Sequence, residues 1–95
     1  MLKSSEERRI LILHGEQIRA ARSLLGWSQT DLAKKAEVGQ MTVKRFEAKN
    51  GPVSGTIASL IRIQSTLEAA GVEFIPPDDW GSFGVRLQST KKTKK

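Results

Sequence analysis

The stretch Trp27–Glu47, WSQTDLAKKAEVGQMTVKRFE, holds two helical patterns with almost no chain between them. Ser28 opens the first as an N-cap, and Asp31, three residues on, is the acidic member of a capping box. Leu32, Ala33 and Ala36 mark the inner face of that helix. Glu37, Val38 and Gly39 then leave room only for a tight turn. From Gln40 to Ala48 the apolar residues Val43 and Phe46 recur at a helical step, so a second, shorter helix follows, with Gln40, Met41, Lys44 and Arg45 on its other side. Two helices joined by so short a turn cannot lie antiparallel, and they cross at a large angle.

Working outward, Ile18, Ala21, Arg22 and Leu25 repeat at three- and four-residue steps between Gly15 and Leu25, with Gly26 at the stop; this predicts a preceding helix. On the other side, Asn50, Gly51, Pro52 and Gly55 cluster as a loop, and Thr56 caps a long helix running to Ala70, where Gly71 ends it. Ile57, Leu60, Ile61, Ile63, Gln64 and Leu67 are spread over its faces. The period then changes. Val72–Ile75 and Gly84–Gln88 read as two strands joined by PPDDWGSF, a hairpin with a long connection. Asp78 and Asp79 suit turn geometry there. Trp80 has two uses open to it, a small satellite core or an interface, and the local core is the expectation. At the other end, Ser4 and Glu7 fit a capping box while Ile10–Leu13 equally fit a buried strand; the reading leans to a strand or extended arm.

The chain has 95 residues, 38% hydrophobic and 27% charged, which suits one small globular domain. A domain of this size buries only roughly 60 to 65% of its unfolded surface, so dimerisation would help it. No apolar run approaches the roughly 20 residues that span a bilayer, and the N-terminus lacks a signal peptide's features. A soluble, cytoplasmic protein is expected, with no membrane partner. Without cysteine there are neither disulfides nor thiolate zinc sites. His14 is the only histidine, and no glycine-rich phosphate loop or clustered carboxylates appear. The expectation is therefore no enzyme, no metal and no cofactor. The net charge of +6 points weakly to nucleic acid, because Lys91, Lys92, Lys94 and Lys95 hold four of the sixteen basic residues, and the remaining twelve exceed the ten acids by two.

Counted from Gln29 as the first position, Ala33 falls fifth, Val38 tenth, Val43 fifteenth and Phe46 eighteenth, all set to pack inward. With GEQIRAARSLLGWSQTDLAKKA (15–36) and TVKRFEAKNG (42–51), the chain from Gly15 to about Gly71 resembles the phage repressor and Cro-like (XRE) family of helix-turn-helix transcriptional regulators. The resemblance implies a mostly α, five-helix, lambda-repressor-like domain, here followed by a small β-hairpin, that binds double-stranded DNA operators as a homodimer. It places Gln40, Met41, Lys44 and Arg45 toward the groove, to contact bases, and Gln29 against a phosphate; Ser28, Thr42 and Lys49 are further phosphate candidates. It also implies a structural salt bridge between Arg22 and Glu47. Two positions depart from the family pattern: Glu37 stands where glycine is common, and Gly39 where a Ser or Thr cap is usual. A left-handed Glu37 would cost about 1 kcal/mol that glycine would not, whereas Gly39 is an acceptable N-cap.

Physical chemistry gives these side chains the same roles. A helix N-terminus attracts phosphate. Gln pairs with adenine, Arg or Lys with guanine, and Met lies against a thymine methyl. Lys34 and Lys35 belong to a solvated face. The chain divides into an arm or strand over 1–14, the helix-turn-helix domain over 15–71, the hairpin over 72–88 as a dimerisation element, and a basic tail over 89–95. The functional expectation is a bacterial or phage repressor binding a palindromic operator. The competing expectation is an antitoxin-like module that neutralises a partner protein and binds DNA secondarily.

Overall fold

A computed structural model describes residues 14–49, 55–75 and 78–88. The expectations for the N-terminal arm, for Asn50–Pro52 in the loop and for the basic tail lie outside these residues. Four helices and one hairpin make up the described chain: α1 (Gly15–Leu25), α2 (Gln29–Ala36), α3 (Gln40–Ala48), α4 (Ile57–Ala69), β1 (Val72–Ile75) and β2 (Gly84–Leu87). The five-helix expectation is thus not met among the described residues. Periodicity itself marks only four helices; past Gly71 the apolar spacing falls to two, which suits a strand whose alternate residues Val72 and Phe74 are buried.

Each helix boundary has a local cause. α1 ends at Gly26, whose φ of 72° is left-handed, and the Trp27 N–H closes back on the Arg22 carbonyl at 3.0 Å. Immediately afterwards Ser28 and Asp31 bond each other's backbone N–H, at 3.0 and 2.9 Å, to start α2. α2 ends in the same left-handed manner at Glu37, φ 59°, with the Val38 N–H on the Ala33 carbonyl at 3.0 Å. Arg62 donates to the Glu37 carbonyl at 3.0 Å and ties this strained turn to α4. Thr56 caps α4 through the Ser59 N–H.

One core joins the elements. Ile18 and Ala21 of α1, Leu32 and Ala36 of α2, Val43 and Phe46 of α3, Ile63 and Leu67 of α4, and Val72 and Phe74 of β1 are all buried together. The hairpin is antiparallel, with Glu73 opposite Arg86 and Phe74 opposite Val85. Its inner face rests on the helices, and a buried glutamine fastens it there. Gln17 Nε2 donates to the carbonyls of Ile75 at 3.1 Å and Gly84 at 2.9 Å, one from each strand, while its Oε1 accepts the His14 N–H at 2.8 Å. His14 also stacks on Phe83, with ring centroids 4.1 Å apart. The expectation of a local core beneath Trp80 is overturned. Its side chain is 90% exposed, because the connection is closed by backbone bonds to Asp78 instead of by packing.

Candidate nucleic-acid interface

The position of α3 is set from behind. Val43 is fully buried and Phe46 nearly so, which directs the opposite side of a nine-residue helix to solvent. Gly15 lets the start of α1 approach the end of α3, since a Cβ there would run into the Lys49 and Phe46 carbonyl oxygens. A polar lock completes the support. Arg22 meets Glu47 in a bidentate pair, Nε to Oε2 at 2.7 Å and Nη2 to Oε1 at 2.9 Å, and its Nη1 donates to the Trp27 carbonyl at 2.9 Å. Gln29 Nε2 adds a bond to Glu47 Oε1 at 3.1 Å. The Glu47 side chain is 3% exposed and that of Arg22 20%. Their hydrogen bond raises the Arg22 pKa above its ordinary value, against the burial that lowers it.

Gln40, Met41, Lys44 and Arg45 all lie on the exposed side of α3, with Met41 at 63% exposure. Among the described residues none of the four is held by an ion pair or hydrogen bond. A helix that leaves a thioether, an amide and two cations uncommitted beside one another offers hydrogen-bond donors, an acceptor and apolar surface to a ligand in a single strip. Thr42 is half-buried near the start of the helix, while Ser28, Thr30 and Lys49 are exposed around it. Ser28 spends its hydroxyl on the Asp31 N–H, and Gln29 spends its amide nitrogen on Glu47, so each retains only part of its bonding capacity for a phosphate. Asp31 is held below its ordinary pKa, chiefly by the Ser28 backbone N–H.

An open cleft of about 530 Å³ runs between α1 and α3, with Arg19, Arg22, Gln29, Met41, Lys44, Arg45, Glu47 and Ala48 along it. Arg19 does not figure among the site residues that the sequence suggests. It reaches across from α1 to the Glu47 carbonyl. Its three-residue spacing from Arg22 was the available signal, because both then share one face of α1. Lys35 lies 5.1 Å from the Trp27 ring centroid and does not line this cleft.

Two helices crossing through a three-residue turn, the second propped on a core and bare on its outer side, define a helix-turn-helix nucleic-acid-binding unit. A family model described as helix-turn-helix matches residues 18–62, a match that supports an XRE, Cro-like helix-turn-helix regulator. That family is one of DNA-binding regulators and not of enzymes. No curated protein matches the chain. Among the described residues no helix is long and apolar enough to cross a membrane.

Proposed function

We propose that this DNA-binding regulator is a repressor that occupies a palindromic operator as a homodimer, with α3 in the major groove. The observation that carries it is the two-sidedness of α3: Val43, Phe46 and Glu47 are sealed, while Gln40, Met41, Lys44 and Arg45 are exposed and uncommitted among the described residues. In the groove, Gln40 reads adenine, Lys44 and Arg45 read guanine, and Met41 covers a thymine methyl. Ser28, Gln29, Thr42 and Lys49 hold the flanking phosphates. Residues 15–71 act as the DNA-binding domain, and the hairpin within 72–88 supplies the twofold contact through a strand edge. The terminal lysines add non-specific attraction. No cofactor takes part.

Selecting bound DNA from a random pool tests this reading. The expected result is a pair of inverted half-sites centred roughly 34 Å apart, about one turn of the duplex. Binding should be nanomolar or tighter, on the order of 10⁻⁸ M or below, and should weaken steeply with salt. Gln40→Ala and Lys44→Ala should change the selected bases. Failure to enrich any sequence would overturn the reading, and enrichment of a lone half-site would remove the dimer from it.

A further inference from the structure

Trp80 sits at the hairpin tip in a turn, 78–82, that is closed by its own hydrogen bonds. Asp78 Oδ1 accepts the N–H groups of Trp80 and Ser82, both at 2.9 Å, and the Gly81 N–H closes on the Asp78 carbonyl at 3.0 Å. A rigid indole held in water combines a large apolar area with little entropy left to lose, the combination that marks contact hot spots. The exposed residues Asp78 and Asp79 immediately precede it and add two negative charges. Two negative charges repel a phosphate backbone, so the tip suits a cationic, partly apolar cavity. The α1–α3 cleft is such a cavity: Met41 and Ala48 give it apolar surface, and Arg19, Lys44 and Arg45 rim it with charge.

We propose that Trp80 of one copy of this chain inserts into the α1–α3 cleft of a second copy. The indole lies against the Met41 thioether, and Lys44 and Arg45 hold Asp78 and Asp79. Donor and acceptor surfaces differ, so the contact is head to tail. It covers Met41, Lys44 and Arg45 in the DNA-free protein and gives way when DNA arrives, a consequence that rests on the recognition role of α3.

Sedimentation of the full chain without DNA, at low salt, tests the contact. Wild type should show an association that grows with concentration and reverses with salt, together with a blue shift of tryptophan emission. Trp80→Ala and the double variant Lys44→Glu/Arg45→Glu should each weaken it about tenfold or more, the scale of a tryptophan hot spot. All three positions are exposed, so the variants keep the fold. Mixed in equal amounts, the two variants should recover a one-to-one complex, because one retains the cleft and the other the tip. A mixture without that complex would overturn the proposal and leave Trp80 to a symmetric contact or to a different protein, as would a Trp80→Ala variant that associates like wild type. A twofold contact elsewhere persists in all three proteins and does not alter this readout. Because no DNA is present, failure here leaves the operator reading standing, and a chain that self-associates in this way but ignores DNA loses only that reading.

Discussion

The helix junction and the hairpin each contain an arginine–glutamate pair at 2.7 Å, Arg22–Glu47 and Arg86–Glu73. The distances agree and the surroundings do not. Glu47 is 3% exposed and its partner 20%, whereas Glu73 and Arg86 are 39% and 64% exposed. In the junction, water is largely gone, and Glu47 is also bonded by Gln29, so removing one member strands charge in a low-dielectric site. On the hairpin, water replaces whichever member is lost. Equal shortest distances therefore carry unequal energy, and the fold invests its buried charge where α3 must be held still.

The sharpest way to break this comparison is Glu47→Ala. It leaves Arg22 partly buried without its carboxylate and should cost about 3 kcal/mol, against less than about 0.5 kcal/mol for the exposed Lys44→Ala. Equal melting temperatures for the two variants would show that the junction pair is no better than a surface one. A smaller effect of opposite sign is expected at the turn between α2 and α3. Glu37 is left-handed, so Glu37→Gly relieves backbone strain and should stabilise by about 1 kcal/mol, or roughly 4 to 8 °C in Tm. A lower Tm for this variant would mean that the side chain contributes more than the backbone strain costs.

The smallest effect belongs to the hairpin pair. Arg86 above all holds the Glu73 carboxyl below its ordinary pKa. A depressed folded-state pKa gives stability that is present above the unfolded value and is lost as pH falls through the folded one. Glu73→Gln should therefore leave Tm nearly unchanged at neutral pH, and wild type should lose this small contribution only under acid conditions. A carboxyl-carbon NMR titration checks it directly: a Glu73 midpoint at the ordinary glutamate value would mean that the hairpin pair does not form in solution.

Much of the helical frame was legible because its determinants are local. Ser28 with Asp31, Gly26, Thr56 and Gly71 mark boundaries through bonds that span a few residues. The inward spacing of Val43 and Phe46 already sends Gln40, Met41, Lys44 and Arg45 outward. Resemblance paired Arg22 with Glu47, but spacing alone did not, and nothing local said that Gln29 would join them. The fifth helix came with the resemblance and had no periodicity behind it, and the described residues hold four.

By itself, then, the sequence determined which segments coil, where they stop and which side of each is apolar, because those outcomes follow from i-to-i+4 bonds and side-chain period. Only the tertiary structure decided that Gln17 clasps strands some sixty residues away, that Arg19 shares a cleft with the exposed face of α3, and that Trp80 stays in water. Such outcomes depend on which groups meet after the chain has closed, and a buried amide or an indole finds or lacks its partner through packing that no local pattern encodes.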